Sequence, residues 1–148
     1  MVLISFNKMQ PIEAFDTHMK RALCDRDPSV MAASLNYYLD EVKKRPSDFK
    51  DLLNSFILIL KQVTDHRLPK DYEYHRTPAP WIQTKILEIL AFLGAEDQVA
   101  SDTMYDILTS VLRRADDMGI NIGYALVYQC LKTITTIFPN PALTALAS

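Results

Sequence analysis

The stretch that decides the fold reads PWIQTKILEILAFLG and occupies positions 80–94. Its main apolar residues recur at the spacing of one face of an α-helix, at Ile82, Ile86, Ile89, Leu90 and Leu93. This spacing predicts an amphipathic helix. Trp81, Leu87 and Phe92 lie off that stripe, so more than one side of the helix is apolar. Two apolar sides are typical of a helix buried between neighbouring helix pairs, and Trp81 is interpreted as an anchor between them.

The same spacing recurs in both directions from this stretch, and no segment alternates with period two over the length of a strand. Helices are predicted at 1–9, 12–24, 28–44, 48–65, 80–94, 97–116, 121–138 and 140–147. Asp27 precedes Pro28 as an N-cap precedes the first helical position. Ser47 is predicted to cap a helix that begins at Asp48, and Gly94 to end its helix.

The predicted helices form antiparallel pairs because most connections are short, the exception being 65–79. The three pairs, with the start of a fourth, are 12–24 with 28–44, 48–65 with 80–94, and 97–116 with 121–138. Their repeat length is near the ~40–47 residues of HEAT and armadillo repeats. We therefore predict an all-α fold, an α-α superhelix of HEAT/armadillo-like helical repeats. A compact helical bundle is the competing interpretation.

Composition excludes several classes of protein. The 148 residues include 16 Lys plus Arg and 18 Asp plus Glu, a net charge of −2, which gives no electrostatic basis for binding nucleic acid. Cys24 and Cys130 are too few and too far apart for a disulfide framework or a zinc motif. The longest apolar runs, such as 56–60, are five residues, whereas a membrane span needs ~20.

The connection between 65 and 76 is where titratable residues crowd, and two interpretations stay open for it. His66, His75 and three carboxylates could bind a metal or perform acid–base chemistry. Their spacing matches no ligand motif, and no nucleophile or phosphate-loop motif occurs in the chain. We therefore predict no catalytic, cofactor-binding or metal site, and a structural or contact role for this loop. Cys130 is predicted to be a core residue, since it lies on an apolar stripe.

Two basic clusters close predicted helices, Lys43-Lys44-Arg45 and Arg113-Arg114. Positive charge at a helix C-terminus complements the helix dipole, so solvated helix ends are the simpler interpretation. Contact with an acidic partner or a phosphoinositide is the alternative.

Several stretches together resemble one family. They read RALCDRDPSVMAASL at 21–35, PAPWIQTKIL at 78–87, LGAED at 93–97, MYDIL at 104–108 and NIGYALVYQC at 121–130. They resemble the trunk of the large adaptins, over about residues 15–138, with the epsilon branch most similar and the gamma and alpha branches next.

The resemblance implies that 1–148 is a single internal segment of an adaptin N-terminal trunk solenoid, without hinge or appendage. It implies a scaffold in a heterotetrameric vesicle-coat adaptor that sorts cargo at the trans-Golgi network by protein–protein binding. The implied partners are the small and medium subunits, the second large subunit and an Arf-type GTPase. The implied location is cytoplasmic and peripheral on Golgi and vesicle membranes. The alternative is an unrelated helical-repeat scaffold, of nuclear-transport or phosphatase type, or a lipid-surface binder.

The second helix of each pair usually lines the concave face of such a superhelix. The predicted small-subunit contacts are therefore exposed polar and aromatic residues of 28–44, 80–94 and 121–138, namely Asn36, Tyr37, Gln83, Glu88, Gln129 and Lys132. The apolar ends, at 1–4 and at Ala142, Leu143 and Leu146, are expected to be exposed and to cause non-physiological self-association.

Overall fold

A computed structural model of the chain describes residues 10–145 except 69, 75–76, 119–120, 138, 140 and 143–144. The predicted helix 1–9 lies outside the described residues, as does most of the predicted helix 140–147. The apolar ends named above also lie outside the described residues, apart from Ala142, which is exposed.

The described residues form a succession of α-helices. These are α1 (Gln10–Leu23), α2 (Pro28–Lys44), α3 (Leu53–Thr64), α4 (Pro80–Gly94), α5 (Gln98–Thr103), α6 (Tyr105–Met118) and α7 (Asn121–Thr136). Two 3₁₀ helices occupy Pro46–Leu52 and Lys70–Tyr72. Two short strands, β1 (Glu73–Tyr74) and β2 (Thr77–Pro78), pair antiparallel with Glu73 opposite Pro78. None of these described helices is long and apolar enough to span a bilayer.

The helices are arranged in pairs, as the period indicated. α1 packs against α2, α3 against α4, and α6 against α7. The second helices of the pairs also pack side by side, with α4 between α2 and α7, and α3 contacts α6 in the other layer. This two-layered array confirms the prediction of an all-α superhelix of helical repeats.

Burial of α4 explains its main apolar stripe and Leu87, whereas Trp81 and Phe92, also off the stripe, are exposed. Ile82, Ile86, Leu87, Ile89 and Leu90 are each fully excluded from solvent. Leu87, which lies off the main stripe, is therefore buried as predicted. Fully burying one such side chain contributes about 1.5–3 kcal/mol, so α4 carries a large share of the apolar burial.

The predicted helix 97–116 is interrupted at Met104, which separates α5 from α6. The Thr103 hydroxyl donates to the Val99 carbonyl at 2.7 Å, a local bond that competes with the helical ladder and bends helices. The predicted helix 48–65 likewise begins as a 3₁₀ helix at Pro46, and Ser47 does not cap it. There, Phe49 packs edge-on against Tyr38 at 5.9 Å and holds the connection close to α2.

Two of the helices have an aspartate side chain as their N-terminal cap. Asp27 accepts from the Ser29 N–H at 2.9 Å, which confirms the predicted cap of α2. Asp97 accepts from the Ala100 N–H at 3.1 Å and from Lys50 Nζ at 2.8 Å. The pKa of Asp97 is below its usual value, chiefly because of the bond from Lys50 and secondly because of the bond from the Ala100 N–H. Lys50 thereby ties the second helix pair to the beginning of the third.

Gly94 ends α4, as predicted, and packs closely against Ile137, just after α7, and against Met104. A β-carbon at this position would lie 2.8 Å from Ile137 Cγ2 and 3.0 Å from Met104 Cε. Ile137 and Met104 are both buried, at 4% and 0% exposure, so neither can move aside freely. Glycine is therefore required here by the close packing of α4 on its neighbours.

We expect Gly94→Ala to lower the free energy of unfolding by ~1–3 kcal/mol, the usual cost of overpacking. The sign is informative, because a Gly→Ala change in a compatible site normally stabilises by about 0.4–1 kcal/mol. Urea unfolding of the two proteins measures the difference. In an Ile137→Ala background the same change should cost much less, since the methyl group it meets is gone. An equal cost in both backgrounds would contradict the packing argument.

Candidate partner-binding surface

The outer face of α4 is the narrow part of this helix that remains accessible. Trp81 and Phe92 are exposed, and Thr84, Lys85 and Glu88 are half-buried. A helix turns by about 100° per residue, so these side chains share one arc of the helix. Because α3 covers the inner side and α2 and α7 cover the flanks, this arc faces away from the body of the array.

The neighbouring second helices also carry accessible side chains from the predicted contact set. On α2, Asn36 is exposed and Tyr37 is half-buried, with its ring edge-on to Tyr38 at 5.2 Å. On α7, Lys132 is exposed and Gln129 is half-buried. Together with Glu88 on α4, five of the six predicted contact residues are thus accessible on the three second helices. We call this set of faces the second-helix surface.

Gln83 is the exception, and the expectation that it is exposed is wrong. It is 3% exposed, and its Nε2 donates to the Pro78 carbonyl at 2.6 Å. Five residues separate it from Glu88, which places the two side chains about 140° apart around the helix. Only one of them can lie on the outer face. Gln83 instead shares the arc of Ile86 and Leu90, so it holds the start of α4 against the preceding strand.

Trp81 and Phe92 are the residues that the predicted contact set missed. Trp81 is 40% exposed and Phe92 is 37% exposed, so Trp81 is not an anchor buried between repeats. Their spacing with Lys85 and Glu88 identifies one helix face, which the sequence alone could have indicated. Large aromatic side chains are enriched where protein surfaces associate.

Charge on this surface is mixed. Lys85 and Glu88 lie one turn apart, and neither makes an ion pair with another described residue. The basic cluster at the end of α2 differs, because Arg45 Nη2 bonds Glu41 Oε2 at 2.6 Å and Arg45 also faces Asp48. The bond to Glu41 raises the pKa of Arg45. Arg45 thus acts mainly within its own helix end.

The connection between α3 and α4 is ordered by its own contacts. α3 ends in a Schellman motif, with the His66 N–H on Val63 O and the Arg67 N–H on Gln62 O. His66 takes the left-handed position, at φ 59°, that glycine usually occupies. His66 Nδ1 lies 3.0 Å from Glu73 Oε1. Within the described residues, no three His, Cys, Asp or Glu side chains come together as a metal site does; His75 lies outside those residues.

A cavity of about 290 Å³ lies beneath this connection. Its walls come from all four surrounding helices and from the strand before α4, with Thr64, His66, Pro78, Gln83, Val111, Arg114, Ala115 and Leu126 lining it. Arg114 is not free to bind a ligand there, because it donates to Thr64 O and, at 2.9 Å, to Asp65 Oδ1.

Comparison with known proteins places this architecture in a family. The family model described as the adaptin N terminal region matches residues 4–148. The chain belongs to the adaptin family. The human AP-4 complex subunit epsilon-1 is 44% identical over 145 residues, which cover 97% of this chain and 13% of that protein.

Other relatives of this adaptin chain agree. The AP-4 complex subunit epsilon of Arabidopsis thaliana is 43% identical over 97% of the chain and 15% of the relative. The AP-1 complex subunit gamma of Dictyostelium discoideum is 30% identical over 91% of the chain and 15% of the relative. The resemblance to large adaptins, most similar to the epsilon branch and then to gamma, is confirmed. The chain spans roughly an eighth to a seventh of the length of these curated relatives.

The two cysteines of this adaptin segment differ in environment. Cys24 is exposed. Cys130 is fully buried, its Sγ donates to Leu108 O at 3.5 Å, and burial raises its pKa to about 12. The prediction that Cys130 is a core residue is confirmed.

We expect a thiol reagent such as Ellman's reagent to modify Cys24 rapidly and Cys130 only after unfolding, because the thiolate is the reactive species. Cys24→Ser should abolish the rapid phase at pH 8, and the matched Cys130→Ser change should leave it intact. Two native thiols reacting at similar rates would show that α7 does not seal this side of the core.

Proposed function

We propose that this chain is a trunk segment of the large subunit of a heterotetrameric vesicle-coat adaptor. The observation that carries the proposal is the adaptin match over residues 4–148, on a two-layered array of helix pairs. The relatives are subunits of AP-4 and AP-1 complexes, so assembly with other subunits is the role we assign. The chain acts by binding rather than by covalent chemistry. We also propose that residues 1–148 form one internal segment of a longer solenoid.

The finer assignment follows the resemblance to the epsilon branch. We assign the parent protein to intracellular protein transport and cargo sorting at the trans-Golgi network. Its partners are the small and medium subunits, the second large subunit and an Arf-type GTPase that recruits the complex to membrane. Its place is cytoplasmic and peripheral on Golgi and vesicle membranes. The family match disfavours an unrelated nuclear-transport or phosphatase scaffold.

The second-helix surface is the proposed contact with the small subunit. The polar contacts that fix register come from Asn36, Tyr37, Glu88, Gln129 and Lys132, whereas Gln83 is buried and makes none. The exposed rings of Trp81 and Phe92 supply the apolar contacts, since binding energy concentrates in a few aromatic side chains that become desolvated on association.

The test is binding of the small subunit to the chain, measured by calorimetry or co-purification. Trp81→Ala should weaken binding by tenfold or more, about 1.4 kcal/mol, as truncation of a hot-spot residue does. Glu88→Arg should also weaken it, because it reverses a charge on the same face.

Leu58→Ala is the matched control. Leu58 is also a large exposed apolar residue, at 55%, but it lies on α3 in the opposite layer. It should change binding by less than twofold. Equal losses from Trp81→Ala and Leu58→Ala would reject the assigned surface, and no binding by the folded wild-type chain would reject the small subunit as its partner.

A further inference from the structure

The connection between α3 and α4 touches all three helix pairs, and most connections in a helical-repeat array do not. Its described residues, 65–68, 70–74 and 77–79, are called the strap below. In a repeat array each pair contacts its neighbours, and effects pass between distant pairs through helix packing. The strap supplies a second, polar connection along the array.

The third pair holds the beginning of the strap. Arg114 on α6 donates to the Thr64 carbonyl, in the last turn of α3, and to Asp65 Oδ1 at 2.9 Å. An arginine at this position satisfies a free carbonyl and complements the helix dipole. Two residues of the strap, His66 and Pro78, face α6 and α7 across the cavity described above, whereas Asp65 is bonded directly by Arg114.

The first pair holds the middle of the strap. The Tyr72 hydroxyl lies 3.1 Å from Ser29 Oγ and donates to Asp27 Oδ1 at 3.4 Å. Asp27 is the N-cap of α2, and its backbone carbonyl also accepts from the Met31 N–H at 3.1 Å. Tyr72 therefore contacts the group on which the first turn of α2 depends.

Internal bonds stiffen the strap between these two contacts. His66 and Glu73 meet at 3.0 Å, and the Ala79 N–H donates to Tyr72 O at 2.8 Å. The last residue of β2 accepts the 2.6 Å bond from Gln83. Hydrogen bonds within the strap therefore connect the residues beside the Arg114 contact with those beside Tyr72.

We propose that the strap couples the third helix pair to the first, so that release of Arg114 also loosens the cap of α2. The strap is then a conformational device that holds the three pairs in fixed positions relative to one another. It thereby also fixes the relative placement of α2, α4 and α7. Coupling of this kind is a free energy shared between two sites, and it is reciprocal.

The test is amide hydrogen exchange in the full chain, followed residue by residue by NMR. Arg114→Gln should speed exchange of the Ser29 and Met31 amides about fivefold, the factor that one lost hydrogen bond typically gives. Tyr72→Phe should produce a similar change directly. By reciprocity, Tyr72→Phe should also speed exchange of the His66 and Arg67 amides beside the Arg114 contact.

Two controls separate the strap from general loosening. Arg113→Gln changes an adjacent exposed arginine that forms no ion pair with the other described residues, and it should leave Ser29 and Met31 within twofold of wild type. Lys50→Gln breaks a different polar link between the second and third pairs, so it should speed exchange at Ala100 but not at Ser29.

The proposal fails if Arg114→Gln speeds exchange only at His66 and Arg67, or if Lys50→Gln or Arg113→Gln affects Ser29 equally. Should Arg114→Gln not fold, Arg114→Lys gives the same test. It keeps the charge but lacks the fork that reaches Thr64 and Asp65 together, so an unchanged Ser29 amide in that variant would equally overturn the coupling.

Discussion

Burial of α4 on both flanks is the constraint on which the rest of the structure depends. This helix packs against α3 on its inner side, α2 on one flank and α7 on the other. An amphipathic helix with one apolar stripe could satisfy only one of these neighbours. Leu87, off the main stripe, is buried, and the Leu87 carbonyl accepts a 2.9 Å bond from the Thr133 hydroxyl of α7. Two-sided burial therefore makes the helix pairs into one array.

The same constraint leaves only one arc of α4 for contact with other molecules. Because the inner side and both flanks are covered, Trp81, Lys85, Glu88 and Phe92 are confined to the outer face. The contact surface proposed for this adaptin segment follows from that confinement. The second helices α2, α4 and α7 lie side by side, with the exposed arc of α4 between its two neighbours. The mode of action we propose is association of complementary surfaces, in which a few desolvated side chains dominate the binding energy.

Local signals in the sequence predicted the features that depend on near neighbours. Periodicity located the helices, and Asp27 and Gly94 marked helix ends because their roles depend on residues within one turn. The bond from the Thr103 hydroxyl to the Val99 carbonyl and the left-handed backbone conformation of His66 were not predicted. Neither residue type by itself signals a helix break or a Schellman motif. The exposure of Gln83 was predicted wrongly, although its angle relative to Glu88 indicated burial.

Long-range polar contacts could not be predicted at all. Tyr72 meets Ser29 across 43 residues, and Arg114 meets Asp65 across 49. Such pairs depend on how the helix pairs stack, and no local pattern encodes that stacking. The candidate site was therefore predictable at the level of which helices form the surface. Spacing shows which residues of a helix share a face, but which face is accessible depends on how each helix is rotated in the array.

Native-state hydrogen exchange at increasing urea tests the central role of α4 most directly. The account predicts that amides of Ile86, Leu87 and Leu90 exchange only by global unfolding, with the urea dependence of the whole chain. Amides near the exposed ends of the array should exchange through smaller openings. Exchange of the α4 amides through a local opening, while α1 and α2 stay protected, would contradict the claim that α4 unites the helix pairs.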